Sequence, residues 1–403
     1  MREESKEKNP LEALGPRILE LLSDLGELEL EDVEMEIGEL ELAVQQAPVT
    51  ALPAVKPPTG LKPKPETLLL EAFKPPVMEY PGKIVEVTIG ATKSEGGSRF
   101  NSVTIGGETS PPFYLFETPP PHRPAVSIDV FDMKIHLASA VRMHVEDVIE
   151  DPGEWAKRAA EKWGADVINL HLISVDPLLK NTAPREASKT VEDVLQAVKV
   201  PLAVGGCGDP EKDIAVFKRV AEDFKGERLL FNSVTLDMNL KEAAESIVSN
   251  GHVLIAFTPM DMDKARELNR RLYEYVEKDR IVIDTTTAAL GYGLDYAFTI
   301  MERTRLAGLM GDPELQHPLS SGTTNAWAAR EAWMQMDPQW GPREFRGPLW
   351  ETVTATVLLL AGVDYFMMMH PAAVKTLKTL IEEFCSGLKG PDENYLDWLT
   401  LKT

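Results

Sequence analysis

The sequence predicts an α/β fold: a closed (β/α)8 TIM-type barrel, preceded by a β-hairpin and an acidic N-terminal appendage. Three observations carry this expectation. From Pro124 onward, eight short apolar runs alternate with segments whose apolar residues recur at helical spacing. Strands that alternate with helices pair in parallel through helical crossovers. The eight units fill about 260 residues, the size of a closed eight-stranded barrel. A doubly wound open sheet is the rival topology; the count and the size favour the barrel.

The elements follow in chain order. Residues 1–50 hold 4 bases and 14 acids, −10 of the chain's net −22. Leu11, Leu14, Ile18, Leu19 and Leu22 keep helical spacing, and the run ELELEDVEMEIGELEL then alternates acidic and apolar residues as a strand with one solvated face does. Residues 1–46 therefore read as a small acidic α/β appendage with one apolar side to bury. Residues 47–76, rich in proline and lysine, read as an extended, semi-stiff linker. In 77–123, two β-branched runs, Ile84–Ile89 and Ser102–Ile105, flank a Gly-rich turn and predict a hairpin.

The barrel is expected over 124–386, with a C-terminal tail at 387–403. Its strands are placed at Ala125–Val130, Asp166–Leu172, Pro201–Gly205, Arg228–Asn232, His252–Phe257, Arg280–Asp284, His317–Ser321 and Asp364–His370. Helices are expected at Glu154–Trp163, Ser188–Val198, Glu211–Phe224, Leu240–Ser249, Asp261–Val276, Leu294–Met310 and Thr324–Trp333. Pro348–Leu360 adds an extra helix, and Ala372–Phe384 closes the series.

Composition excludes several classes. The 403 residues are 43% hydrophobic, enough for a large core. The acidity opposes nucleic-acid wrapping, which needs clustered Lys and Arg. Two cysteines, Cys207 and Cys385, are too few for an iron–sulfur cluster or a Cys-rich zinc site, so no cluster is expected in this chain. They also give no disulfide framework, which fits a reducing cytoplasm. The start, MREESKEKNP, lacks the apolar stretch of a signal peptide, and the apolar run Val353–Gly362 is too short to span a bilayer. No membrane association is expected.

The working face of such a barrel is the C-terminal end of its strands. There the sequence places Asp129 and Asp132, then Asn169, His171 and Ser174, and the loop Gly205–Pro210. Asn232, Ser233, Thr258 and Asp261 follow, then Asp284-Thr285-Thr286-Thr287 running into Gly291-Tyr292-Gly293. Ser320–Asn325 and Met367–His370 complete the set. Asp209 and Asp261 precede helices and read as N-caps. Asp284, with three Thr and a Gly-Tyr-Gly between it and the next helix, either orients a polar ligand or anchors its own loop. The Gly291-x-Gly293 pair lacks the third glycine of a dinucleotide fingerprint. The run 320–325 either holds a phosphate-bearing cofactor or forms a capped turn. His136 and His144 are read as lying in a loop, and surface exposure is the default for all seven histidines. Cys207, with no evident neighbouring base, reads as a small packing residue, and Met367–Met369 as barrel filling. No nucleophile, base and acid can be grouped from the sequence.

The stretches GKIVEVTIGATKSEGGSRFNSVTIGGET, GADVINLHLISVDP, VGGCGDPEKD, RIVIDTTTAALGYGLDYAFTIMERTRLAGLMGD and NAWAAREAW resemble the small subunit of the corrinoid iron–sulfur protein. In archaea this is the delta subunit of the acetyl-CoA decarbonylase/synthase complex. The resemblance covers about residues 80–385, and the appendage and linker resemble the longer archaeal form. It implies a barrel akin to pterin-dependent methyltransferases, paired as a heterodimer with a large (gamma) subunit that carries a corrinoid and an iron–sulfur cluster. The pair shuttles a methyl group between a tetrahydropterin and acetyl-CoA synthase. The barrel mouth covers the corrinoid at the interface, and the delta subunit helps hold the other subunits together.

On this resemblance Asp284, Thr285, Thr286, Gly291, Tyr292, Ser320, Ser321, Thr323 and Asn325 are expected near the corrinoid, with no catalytic residue and no metal ligand in this chain. A mouth offering hydroxyl and amide groups suits amide arms, and an acidic segment on a Pro-rich tether suits docking to a partner. Two other readings remain open. One is a purely structural scaffold subunit. The other is a stand-alone tetrahydropterin-dependent methyltransferase, for which Asp129, Asn169 and Asn232 would face the pterin.

Overall fold

A computed structural model describes residues 77–114 and 119–386. The expected appendage, linker and C-terminal tail lie outside the described residues. The first elements are β1 (Glu86–Ile89) and β2 (Val103–Gly106), an antiparallel hairpin in which Val87 faces Ile105. A closed barrel of eight parallel strands follows: β3 (Ala125–Phe131), β4 (Val167–His171), β5 (Leu202–Gly205), β6 (Leu230–Val234), β7 (Val253–Phe257), β8 (Ile281–Asp284), β9 (Leu319–Gly322) and β10 (Val363–Met368). β10 pairs with both β9 and β3 and so shuts the cylinder.

The crossover helices are α1 (Ser139–Val145), α2 (Pro152–Glu161), α3 (Pro184–Ala197), α4 (Pro210–Asp223), α5 (Leu240–Val248), α6 (Met262–Leu272), α7 (Leu294–Leu309), α8 (Arg330–Trp333), α9 (Arg343–Leu360) and α10 (Pro371–Cys385). Asp209 and Asp261 are N-caps as expected: Asp209 Oδ1 accepts from Lys212 N at 2.8 Å, and Asp261 Oδ1 from Asp263 N at 2.9 Å.

Four local expectations are corrected. The helix placed at Thr324–Trp333 is a 3-10 turn, Thr323–Ala328, followed by the short α8, because Thr324 and Asn325 turn their side chains to Asp129 and Thr287. The helix placed from Pro348 begins at Arg343. Its first turn is tied to α8 by Arg346, which donates to the carbonyls of Glu331 and Met334. His144 sits on α1, not in a loop, edge-on to His370 at 4.9 Å between ring centres. Finally, His252, His317 and His370 are buried rather than exposed. His252 is neutral and fully used: Nδ1 accepts from Leu229 N, and Nε2 meets the Ala221 carbonyl, both at 3.0 Å. Burial pulls it down to about 4.

The hairpin closes the N-terminal end of the barrel. Val87, Ile89 and Ile105 pack against the first inward residues of six strands: Ala125, Val167, Ala203, Leu230, Val253 and Val282. Val85 N donates to Gln316 O and Gly90 N to Arg228 O, both just ahead of barrel strands. Arg99, in the hairpin loop, donates to the Val198 and Leu195 carbonyls at the end of α3 and to Glu227, satisfying acceptors that the helix leaves open.

A buried ion network locks this end. Arg305 of α7 donates to Glu108 at 3.0 Å and to Asp364 of β10, and Asp364 also accepts from Leu319 N at 2.7 Å. One guanidinium therefore joins the segment after β2, the start of β9 and the start of β10. Replacing Arg305 with Ala leaves two buried carboxylates unpaired and should cost about 3–5 kcal/mol, read as a lower urea midpoint at unchanged slope. A loss under about 1 kcal/mol would mean that the network does not hold the floor.

Candidate functional site at the barrel mouth

With its floor filled by the hairpin, the barrel carries a cleft of about 1020 Å³ at the strands' C-terminal ends. Inward positions change character along four of the strands. Ala125 gives way to Ser127 and Asp129 on β3, Val167 to Asn169 and His171 on β4, Leu230 to Asn232 on β6, and Val282 to Asp284 on β8.

Asp129 and Asn169 are register partners on neighbouring strands, both buried. Asn169 Nδ2 donates to Asp129 Oδ1 at 2.7 Å, and His171 Nε2 lies 3.1 Å from the same oxygen. Thr324 Oγ1 donates to Asp129 Oδ2 at 2.8 Å, so the carboxylate joins β3, β4 and the segment after β9. The His171 ring stacks on Phe131 at 5.0 Å. Asp129, His171 and Thr324 line the cleft, whereas Asn169 lies sealed beneath it.

Asp284 anchors its own loop, one of the two readings the sequence left open. Its carboxylate accepts from Thr286 N at 2.8 Å and from Ser320 Oγ at 3.1 Å, anchoring its loop, and it also lines the cleft. Burial pushes it up to about 6, against the pull of those two hydrogen bonds. Thr286 sits at φ 71°, a left-handed conformation uncommon for a β-branched residue. Asp284 and the Thr258 carbonyl, which accepts from Thr286 Oγ1, hold it there.

The expected site residues divide into three groups. Asp284, Thr286 and Asn325 line the cleft. Thr285, Ser320, Ser321 and Thr323 are buried behind it, where Ser321 bonds Thr287 at 2.8 Å and Thr323 at 3.2 Å. Gly291 and Tyr292 lie outside the lining; Tyr292 is exposed, and Gly291 lies near Trp350 and Glu331. The 320–325 run is a hydrogen-bonded turn. Its hydroxyls point to protein partners rather than forming an anion cradle. Charge points the same way: Asp129, Asp213, Asp237 and Asp284 line the cleft against Lys264 and His171.

Two buried carboxylates that shape loops of the rim were not singled out by the sequence. Asp213, on the first turn of α4, holds the glycine loop after β5. Its place in a helix's first turn reads in sequence only as a favourable dipole partner. Glu351, buried in α9, accepts from Met369 N at 2.6 Å and His370 N at 3.0 Å, and burial pushes it up to about 8. A lone acid in the apolar stretch around Val353–Leu360 was the available signal. Among the described residues no group of three or more His, Cys, Asp or Glu is placed to hold a metal ion, and no helix is long and apolar enough to cross a membrane.

The Asp284 geometry fixes a sign. A carboxyl raised from the usual range to about 6 destabilises the fold as pH climbs through that window, since the folded state must then carry a buried charge. Asp284→Asn should therefore stabilise the protein at pH 8 by about 2–3 kcal/mol, with the gap closing toward pH 4. Thermal unfolding of both proteins across that range checks it; a gap independent of pH would contradict the assignment.

Residues 86–336 match the family described as CO dehydrogenase/acetyl-CoA synthase delta subunit. The acetyl-CoA decarbonylase/synthase complex subunit delta of Archaeoglobus fulgidus is 51% identical over 366 residues, covering 89% of this chain and 81% of that one. The subunit of the same name from Methanopyrus kandleri is 44% identical over 393 residues, covering 96% and 97%. That of Methanocaldococcus jannaschii is 42% identical over 372 residues, covering 90% of each. Among solved structures, a Yersinia pestis dihydropteroate synthase with a sulfonamide drug has a TM-score of 0.47 at 15% identity, covering 66% of this chain and 94% of that one. The family match and the extent of these identities establish that this chain belongs to the CO dehydrogenase/acetyl-CoA synthase delta subunit family.

Proposed function

We propose that this chain is the non-catalytic barrel subunit of a corrinoid iron–sulfur protein, and that its mouth covers a corrinoid held mainly by a large (gamma) subunit. The pair takes part in reversible acetyl-CoA synthesis and cleavage, by methyl transfer between a tetrahydropterin and acetyl-CoA synthase. The subunit also helps hold the cytoplasmic complex together. The observation that carries this reading is the chemistry of the mouth: it is wide, floored, and lined by amide, hydroxyl and apolar groups set among four aspartates.

The residues present fit a corrinoid. Leu236, Met238, Phe257 and Met367 offer apolar area to a macrocycle face. Asn232, Asn325, Thr286 and Thr324 offer amide and hydroxyl groups to amide arms. Gly206, Gly208 and Gly322 let backbone approach closely. Four aspartates on the lining disfavour a phosphate group there. When bound, the corrinoid supplies the cobalt that carries the methyl group. This chain's part is to orient the macrocycle and exclude water.

The stand-alone tetrahydropterin methyltransferase is the second reading. Asp129 and Asn232 on strand ends of the same mouth favour it. Co-expression with the cobalt-bearing large subunit, followed by purification through a tag on this chain, separates the two. The expected result is a one-to-one complex that keeps its corrinoid absorption and loses it when this chain is omitted. A colourless chain eluting alone, with measurable tetrahydropterin binding, would overturn the proposal in favour of the second reading.

A further inference from the structure

A glycine loop on the mouth's wall is folded around one buried carboxylate. Asp213, on the first turn of α4, is 2% exposed. Its Oδ1 accepts from Cys207 N at 2.8 Å and from Cys207 Sγ at 3.3 Å, and its Oδ2 from Gly208 N at 2.9 Å. Gly206 lies so close that a Cβ there would fall 2.3 Å from the carboxyl carbon. Gly208 takes φ 91°, which a side chain rarely adopts. The loop Gly205–Gly208 therefore has its shape set by this side chain, and both Cys207 and Asp213 line the mouth.

The charges facing the thiol are of one sign. Asp176, after β4, and Asp213 itself face it, while the backbone N–H of Asp209, at the α4 N-cap, bonds the sulfur and pulls the other way. Lys212, on α4, donates its ammonium to Asn181 Oδ1 at 2.7 Å, and Lys264 lines the mouth from α6. Carboxylates oppose a negative sulfur. The thiolate is the form of cysteine that attacks electrophiles and ligates metals. A free thiolate on this wall would compete for whatever metal-bearing group the mouth covers.

We propose that Asp213 is a positioning residue that keeps Cys207 a bound, protonated thiol, so that the mouth presents no thiolate to its ligand. The purpose assigned to this arrangement rests on the corrinoid reading above; the arrangement itself does not. Burial is the larger influence on the thiol and the carboxylates add to it, together holding Cys207 at about 11.

The test is iodoacetamide alkylation of Cys207 in the full chain between pH 6 and 11, read by mass spectrometry with Cys385 replaced by Ser. Asp213→Asn removes the charge and places an amide donor beside the sulfur. It should raise the alkylation rate at pH 8 by about tenfold and move the pH profile down by about one unit. Asp176→Asn, which leaves the loop's hydrogen bonds in place, should move it the same way by less. A folded Asp213→Asn protein with an unmoved profile overturns the proposal. So does a rate increase equal at every pH, which would report exposure alone. If Asp213→Asn fails to fold, an unmoved profile in Asp176→Asn overturns it. The readout needs neither corrinoid nor partner, so its failure is distinguishable from failure of the proposed function.

Discussion

The hairpin plugged into the N-terminal end of the barrel is the constraint on which the rest depends. Val87, Ile89 and Ile105 complete an apolar floor with the first inward residues of the strands. That burial, worth roughly 25 cal/mol per Å² of apolar surface removed from water, fills the N-terminal end and leaves the cleft at the other. It also allows polarity to accumulate there. Asp129, Asn169 and Asp284 are buried or nearly so in the upper part of the barrel, a costly placement unless their hydrogen bonds are made. The two carboxylates and the Asn169 amide nitrogen make theirs across strands, from β3 to β4 and from β8 to β9, while the Asn169 amide oxygen is left without a partner. The mouth is therefore built on polar groups already engaged with one another, of which Asp129 and Asp284 face the cleft.

This arrangement explains why the mouth resembles a receptacle more than a reaction centre. Asp129 is engaged by Asn169, His171 and Thr324, and Asp284 by Thr286 and Ser320. Glu351 is spent on the backbone of the turn after β10. Each carboxylate stiffens a loop of the rim. Such preorganisation lowers the ordering cost of binding a large ligand, which suits a subunit that covers a cofactor while another subunit holds it.

Much of the fold was legible because parallel strands buried on both faces appear as continuous apolar runs. Val253–Phe257 and Ile281–Asp284 are examples, and all eight expected barrel strands overlap observed ones. What escaped was local and set by tertiary contacts. The short α1 has no capping side chain to announce it. The run after β9 is coiled into a 3-10 turn by contacts with residues nearly 200 positions away, as Thr324 with Asp129. Buried histidines are equally silent: nothing near His252 in sequence indicates that Leu229 N and Ala221 O will meet its ring.

The site was legible where strand ends carry polar residues, as at Asp284, Thr286 and Asn325, because barrel geometry puts those positions at the mouth. Helix positions were opaque. Asp213 and Glu351 reach the rim only through loops whose paths the sequence does not reveal, and Tyr292 is exposed outside the cleft lining. The central claim is that the mouth, not the plugged end, faces the cofactor-bearing partner. Hydrogen–deuterium exchange of this chain, with and without the corrinoid-loaded large subunit, tests it most directly. The account predicts new protection in residues 205–208, 232–238, 258–264, 284–287 and 322–325, with the hairpin at 86–106 unchanged. Protection confined to the hairpin end, with the mouth loops exchanging as before, would contradict it.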